Sequence, residues 1–254
     1  MPSQDDPQRS NSLIAENLQS VRDRIARAAQ SSGRPAQSVR LVLATKTVLP
    51  ERILEAIAAA HSDFAENKVQ EGRAKAVDLA GLPIRWSMIG HLQTNKVKDA
   101  LRFADEVQSL DRLSLAETLD RHLQRQGRSL DVLVQVNTSD ELTKYGLPAE
   151  GTVPFLREMT AFSSLNVRGF MTLARFTPDI EEVIRCFGRL RAVRDQARDA
   201  APQGAELQEL SMGMSGDFEA AIHEGATIIR VGQAVFGPRA LPDAYYWPAT
   251  STER

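Results

Sequence analysis

Apolar positions at the start of the chain recur with the spacing of a helix. Between residues 11 and 32 they fall three or four positions apart, which places them on one face of an α-helix. The positions are Leu13, Ile14, Leu18, Val21, Ile25 and Ala28. The pattern therefore predicts an N-terminal helix ahead of the rest of the fold.

Beyond this helix, short apolar runs alternate with longer amphipathic segments. Eight runs have the length and composition of buried strands: residues 40–46, 62–66, 85–90, 105–110, 130–137, 166–172, 207–212 and 227–232. Seven helical patterns lie between them: residues 50–60, 67–80, 94–102, 112–126, 151–162, 179–199 and 216–224. Alternation of this kind predicts a parallel sheet covered by helices, an α/β fold.

The number of units decides between two kinds of parallel sheet. Eight strand–helix units in a chain of 254 residues favour a single closed (β/α)8 TIM barrel over an open doubly wound sheet. The first strand-to-helix turn also lacks a Gly-x-Gly-x-x-Gly run, which weakens the open nucleotide-binding alternative. We expect a disordered N-terminus at residues 1–10, one barrel domain at residues 11–240 and a C-terminal tail at residues 241–254.

Charge and cysteine usage exclude several classes of function. The formal net charge is −2 and no basic block or tail occurs, so nothing favours binding to nucleic acid or to a membrane surface. Cys186 is the only cysteine and the four histidines are scattered, so neither a disulfide nor a metal site is expected. The first ten residues are polar and acidic, which argues against a signal peptide. We expect a cytoplasmic protein.

Lys46 is the most informative single residue. It is one of only six lysines among 31 basic residues, and it closes the apolar run of the first strand. A lysine amine can be made neutral by desolvation, and the neutral amine is a nucleophile toward aldehydes, whereas an arginine keeps its proton. The alternative is a strand-end lysine whose ammonium group reaches water.

Two later segments have the character of phosphate-binding loops. Residues 210–219 and 229–237 each run from a strand through glycine into a helical start. Small residues let backbone N–H groups approach an anion, and phosphate sites in barrels frequently form after strands seven and eight. Ser215 or Asp217 is expected to cap the helix that follows the first segment. Each segment alone is typical of an ordinary helix cap or glycine turn, but the pair favours a phosphate site.

An aldehyde-reactive lysine and a phosphate site together indicate one ligand. Pyridoxal 5′-phosphate (PLP) carries an aldehyde and a phosphate on one aromatic ring. A Schiff base with Lys46 would hold its aldehyde end, and the two loops would hold its phosphate. The sequence therefore predicts PLP as the cofactor.

Several motifs resemble those of the pyridoxal phosphate homeostasis proteins, the YggS/PROSC family. They include Ile-Gly-His-Leu-Gln at residues 89–93 and Ser-Met-Gly-Met-Ser at residues 211–215, and the likeness runs from residue 11 to residue 239. The other matching segments are residues 43–47, 64–67, 136–138 and 169–174. The resemblance implies a single-domain barrel of the alanine racemase type, PLP fold-type III, with PLP held on the lysine that corresponds to Lys46.

The resemblance also implies a set of cofactor-binding residues. Asn67 matches a position that faces the cofactor. The family's phosphate contacts match Ser211, Met214, Ser215, Arg230, Gly232 and Gln233.

This chain departs from the family pattern at four positions. Ala65 replaces a glycine, Lys68 an aromatic residue, and Ser87 a common histidine. Gln233 replaces a threonine or serine, so only the backbone N–H there would serve the phosphate. Lys68 is either a second amine near the pocket or, as we expect, part of a solvated helix face.

Lys144 matches a family lysine on the loop after strand five. It is a candidate transient second acceptor of PLP, with a solvated loop lysine as the alternative.

The segment after strand eight bears on whether the protein is an enzyme. PLP racemases and decarboxylases of this barrel type resemble two-part proteins with a second β-rich domain, but only 22 residues follow Gly232. Such enzymes need a positioned proton donor or acceptor. His91 is the candidate by residue type, with a hydrogen-bonded core histidine as the alternative. Tyr245 and Tyr246 are expected to pack on the barrel wall.

We therefore expect a protein that is not an enzyme and that stores, buffers or delivers PLP, held as a Schiff base on Lys46. Apo PLP-dependent enzymes are candidate recipients, and a monomer is expected. One alternative is a PLP-dependent amino-acid racemase or decarboxylase. Another is an aldolase in which Lys46 attacks the carbonyl of a sugar phosphate.

Overall fold

A closed barrel of eight parallel strands forms the centre of the computed structural model, which describes residues 7–141, 143–200 and 206–238. The strands are β1 Arg40–Ala44, β2 Asp63–Glu66, β3 Arg85–Met88, β4 Glu106–Leu110, β5 Leu130–Asn137, β6 Leu165–Met171, β7 Glu209–Ser211 and β8 Ile228–Val231. Their order is β4-β3-β2-β1-β8-β7-β6-β5, and β5 pairs with β4 to close the ring. The predicted TIM barrel is confirmed.

Helices surround the strands. They are α1 Pro7–Ser31, α2 Pro50–Ala58, α3 Val69–Asp78, α4 Val97–Ala100, α5 Leu113–Gln124, α6 Thr152–Met159, α7 Ile180–Ala200, α8 Phe218–His223 and α9 Gln233–Phe236. The predicted N-terminal helix is present and begins at Pro7, four residues ahead of the expected domain boundary. The expected tail at residues 241–254, with Tyr245 and Tyr246, lies outside the described residues.

Strand alternation separates two apolar layers. Successive side chains of a strand point to opposite faces, so one set fills the barrel and the other packs under the helices. The interior set is small: Val42, Ala65, Leu133, Met171 and Ile228. The larger layer between strands and helices includes buried Leu43, Phe64 and Phe170. On β1 this alternation turns Val42 inward.

The N-terminal helix α1 lies next to the helices that follow β1, β7 and β8. It packs against α2, α8 and α9, with Ile14 and Leu18 fully buried. Asn17 donates a hydrogen bond from Nδ2 to the Val235 carbonyl at 3.1 Å. The helix therefore supports the two short helices that follow β7 and β8. Among the described residues, no helix is long and apolar enough to cross a membrane.

Candidate functional site

Lys46 lies in a tight turn directly after β1. The Val48 N–H donates to the Thr45 carbonyl at 2.9 Å, so Lys46 and Thr47 are the two central residues of a four-residue turn. Thr47 has a φ of 65°, a left-handed conformation that is uncommon for a residue other than glycine. This turn ends the strand at Ala44, two residues before the predicted boundary, and leaves Lys46 half-buried at the carboxyl end of the barrel.

Close packing of β1 against β8 brings the Lys46 turn next to the predicted phosphate segment. Leu43 pairs with Val231 in the parallel register of these strands. A Cβ atom at Gly232 would lie 3.0 Å from the Ala44 carbonyl oxygen, which is tight for any larger residue. Lys46 and Gly232 therefore follow two adjacent strand ends.

Ser215 joins the two phosphate segments. Its Oγ accepts hydrogen bonds from the backbone N–H groups of Gly232, at 3.3 Å, and Ala234, at 3.2 Å. Its own hydroxyl proton has no acceptor among the residues that the structure describes. The loops after β7 and β8 thus form one unit that presents a free hydroxyl donor.

Backbone donors of the same unit also lack acceptors. Within the described part of the chain, the N–H groups of Ser215, Gly216 and Gln233 donate to no acceptor. Gly232 N–H, by contrast, is already bonded to Ser215. Clustered N–H donors of this kind suit an anion. Gln233 can contribute through its backbone although its side chain lacks a hydroxyl.

The structure does not show the expected capping of helix α8 by the side chain of Ser215 or Asp217. Asp217 occupies the N-cap position of α8, but its carboxylate accepts from the Met214 N–H, 2.5 Å from Oδ1, and caps no first-turn N–H. Ser215 bonds to the other loop. Burial raises the pKa of Asp217, while the Met214 N–H and the charge of Arg230 oppose that shift. Asp217 therefore closes its own loop and holds Met214 and Ser215 in place.

Arg230 lies inside the barrel. It is 3% exposed and donates from Nη1 to Ser211 Oγ at 2.6 Å and from Nη2 to the Thr172 carbonyl at 2.7 Å. Burial lowers its pKa to about 10, with the charge of Asp217 acting in the other direction, so Arg230 is cationic at neutral pH. The guanidinium places a positive charge beneath the barrel mouth, where it favours an anionic ligand.

Ser211 is committed to the same interior network. Its hydroxyl donates to Gln108 Oε1 at 2.6 Å while accepting from Arg230, and Gln108 Nε2 donates to Glu106 Oε2 at 2.7 Å. The predicted contacts of Ser211 and Arg230 with phosphate therefore remain predictions, since both side chains already have partners. Gln108 and Glu106 were missed by the sequence reasoning. The signal that could have found them is polar residues at alternate positions of a buried strand.

Asn67 follows β2, the strand on the other side of β1. Its Oδ1 is buried and has no hydrogen-bond partner among the described residues. A Cβ atom at Gly90 would lie 2.0 Å from the Asn67 carbonyl oxygen, so the glycine after β3 allows the two strand ends to approach. An unpaired buried acceptor beside the Lys46 strand suits a polar group of a bound ligand.

His91 lies at the barrel mouth rather than in a hydrogen-bonded core. Its ring stacks on Tyr145 with centroids 3.8 Å apart and an angle of 13° between planes. Nδ1 lies 3.4 Å from Asp111 Oδ2, yet the geometry does not make a hydrogen bond. Burial lowers the pKa of His91, and the charge of Asp111 opposes that shift. His91 is therefore neutral at physiological pH.

The two other candidate lysines differ in their surroundings. Lys68 is 66% exposed and lies 3.6 Å from Glu71, so the predicted solvated helix face is confirmed. Lys144 is half-buried: its Nζ contacts Glu141 Oε2 at 2.6 Å and donates to the Ala174 carbonyl at 3.0 Å. It is thus held in a network instead of lying free in solvent. No cluster of potential metal ligands occurs within the described ranges.

Comparison with known proteins gives the family. The sequence model of the family described as the alanine racemase N-terminal domain matches residues 17–240. A pyridoxal phosphate homeostasis protein of Aquifex aeolicus is 38% identical over 224 residues, which are 88% of this chain and 97% of that protein. Its counterpart in Pasteurella multocida is 34% identical over 228 residues, 89% of this chain and 97% of that protein. This chain belongs to the family of pyridoxal phosphate homeostasis proteins.

A solved structure links this family to the cofactor. PipY of Synechococcus elongatus, described as having PLP bound, is 36% identical, with a TM-score of 0.78. The likeness covers 88% of this chain and 100% of PipY. In the present chain, the free Ser215 hydroxyl, the unpaired loop N–H groups and the orphaned Asn67 Oδ1 are the kinds of group that a phosphorylated, polar aromatic aldehyde requires. The residues present therefore fit PLP.

Proposed function

We propose that this protein binds pyridoxal 5′-phosphate and serves PLP homeostasis in the cytoplasm by storing, buffering or delivering the cofactor. The observation that carries the proposal is the adjacency of two strand ends. Lys46 follows β1, and the donor unit centred on Ser215 and Gly232 follows β7 and the neighbouring β8. One ligand with an aldehyde and a phosphate would satisfy both. All the groups named come from one chain, so a monomer would suffice.

The position of each group in the site suggests the part of PLP that it binds. The Lys46 amine, once deprotonated, would attack the aldehyde carbon to form a C=N bond, and the carbonyl oxygen would leave as water. Ser215 and the N–H groups around it bind the phosphate. Asn67 contacts a polar substituent of the ring, and Arg230 supplies positive charge from below. The bound aldehyde thereby becomes a reversible covalent store, because water can release it again.

A carrier suits the barrel mouth better than a racemase does. Racemisation requires an acid or base placed against the substrate carbon. His91 is stacked on Tyr145, and Asp217 is bonded to Met214. We therefore propose that Lys46 is used for binding and that the recipients are apo forms of PLP-dependent enzymes.

Transfer to an apoenzyme distinguishes the two functions. We expect that PLP-loaded protein, mixed with an apo aminotransferase, restores the activity of that enzyme while losing its own visible absorption. We also expect no turnover of D- or L-alanine by the loaded protein alone. Steady amino-acid turnover that Lys46→Ala abolishes would support an enzyme instead. An aldolase would show no visible band and would form a reducible adduct only after addition of a sugar phosphate.

Ser215→Ala tests the phosphate side of the proposal. The substitution removes one hydroxyl donor and the acceptor for two loop N–H groups, so we expect the Kd for PLP to rise about tenfold or more, since hydrogen bonds to charged groups are worth roughly 1.5–3 kcal/mol. Fluorescence titration measures the affinity. Ser31→Ala, which removes a hydroxyl bonded within α1, is the control and should bind normally. Unchanged affinity of Ser215→Ala would contradict a phosphate role for this loop.

A further inference from the structure

A buried ion pair lies between helix α3 and the end of β2, next to β1, the strand that precedes Lys46. Lys75 Nζ on α3 is 2.6 Å from Glu66 Oε1 at the end of β2. Lys75 is 7% exposed and Glu66 is fully buried. The second carboxylate oxygen of Glu66 is also buried and has no partner among the described residues. Neither residue belongs to the binding site proposed above.

The pair is bonded to Thr45, the residue directly before Lys46. Lys75 Nζ donates to the Thr45 carbonyl at 2.6 Å, and Thr45 Oγ1 donates to Glu66 Oε1 at 2.6 Å. The Thr45 N–H donates to the Ala65 carbonyl at 3.0 Å. Every polar group of Thr45 is therefore engaged. The carbonyl that Lys75 holds belongs to the peptide that supplies the nitrogen of Lys46.

The pair lies on the outer side of the barrel wall. Glu66 follows Ala65, which points into the barrel, so Glu66 points outward toward α3. The Thr45 hydroxyl donates to Glu66, so the Thr45 side chain also points outward. The pair can therefore act on Lys46 through the backbone of Thr45.

The backbone that the pair holds is a strained turn. The Thr45 carbonyl also accepts from Val48 N–H, and the turn contains Thr47 at a φ of 65°. Such conformations persist only where the surroundings hold them. Glu71 of α3 lies 3.4 Å from the Thr47 N–H through Oε2. Helix α3 thus contacts the turn at its first residue, Thr45, and at its third, Thr47.

A buried pair is a costly way to stabilise a fold. Burial raises the pKa of Glu66, and the charge of Lys75 and its hydrogen bond oppose that shift. Apolar residues of similar size often give equal or greater stability than a buried ion pair. A contribution to stability alone therefore does not account for a buried pair at this position.

We propose that Glu66 and Lys75 are positioning residues that hold the Thr45 peptide, so that Lys46 leaves the strand in the orientation needed to react with an aldehyde. The proposal rests on the function proposed above for Lys46. It concerns the orientation of the amine and assigns the pair no contact with the ligand.

The test uses Lys75→Met and the double variant Glu66→Gln/Lys75→Met. In the protein without PLP, we expect the Val48 amide to exchange its hydrogen about tenfold faster in both variants, because the charged donor to its acceptor is gone. With PLP, we expect the equilibrium constant for the borohydride-reducible adduct to fall about tenfold in both. Lys75→Met alone should also lose stability to urea. The double variant should regain most of that stability because no buried charge is left unpaired.

Asp120→Ala is the matched control for a general loss of stability. Asp120 is buried on α5 and accepts from the Ser164 N–H and from Gln124, away from the Lys46 turn. We expect it to lower stability while leaving Val48 exchange and adduct formation unchanged.

Three results would overturn the proposal: normal Val48 exchange in the double variant, normal adduct formation in it, or its failure to fold. The hydrogen-exchange result is independent of PLP. If the wild-type protein formed no adduct on Lys46, the proposed function would fail while the effect of the pair on the turn could still be measured.

Discussion

Lys46→Ala is expected to yield a colourless protein that forms no borohydride-stable adduct with PLP. Among the described lysines, Lys46 is the one that follows β1, the strand that pairs with β8 and brings Lys46 close to the donor loops. Removing it leaves the phosphate unit intact, so weak, non-covalent binding should persist. Because the side chain is only half-buried, the fold should be retained, and urea denaturation should show a change within about 1 kcal/mol. Absorption spectra and intact mass after reduction measure the result.

The remaining lysines near the mouth provide the controls. Lys68→Ala removes an exposed side chain paired with Glu71 and should keep full colour. Lys144→Ala breaks the contacts with Glu141 and Ala174 but should keep the adduct on Lys46. If Lys46→Ala retained a reducible adduct on Lys144, the assignment of the primary amine would be wrong.

Gly90→Ala is expected to lower the free energy of unfolding by about 3 kcal/mol, at the upper end of what overpacking usually costs. The added Cβ would lie 2.0 Å from the Asn67 carbonyl oxygen and 2.7 Å from two further Asn67 backbone atoms. Backbone cannot rotate away as a long side chain can, so β2 and β3 must separate at their carboxyl ends. Asn67 would shift with them, and PLP binding should weaken as well. Urea denaturation and a PLP titration measure the two effects.

Gly216→Ala is the matched control for stability. A Cβ atom at Gly216 would meet nothing within 4 Å, and its backbone does not adopt a positive φ. We expect its free energy of unfolding to change by no more than about 0.5 kcal/mol. Equal stability of Gly90→Ala and the wild-type protein would contradict the close approach of these strand ends.

The fold was predictable because its signals are local. Each strand and helix carries its own period, and the observed bounds fall within a few residues of the predicted ones. β5 matches at both ends, residues 130–137. β1 was predicted to reach Lys46 because Thr45 and Lys46 extend the apolar run without a breaker. The carbonyl of Thr45 in the Thr45–Val48 turn that ends the strand accepts from Lys75, 30 positions away, and no local pattern reveals this contact.

The polar interior of the site was not predictable in the same way. Gln108 lies 103 positions from Ser211, and His91 stacks on Tyr145 from a different loop. Their pairing follows from closure of the barrel, which brings distant strand ends together. Ser215 was recognised as part of a phosphate segment, but its bonds to Gly232 and Ala234 depend on the packing of β7 beside β8. Motifs identified Ser211, Ser215 and His91 but missed Gln108, and the fold determined which residues pair with each other.

The most direct test of the central claim is the site of covalent attachment in the wild-type protein. PLP-loaded protein is reduced with borohydride and digested, and the modified peptide is sequenced by mass spectrometry. We expect one dominant adduct, on the Lys46 side chain. A dominant adduct on Lys68, Lys75 or Lys144, or no adduct at saturating PLP, would contradict it.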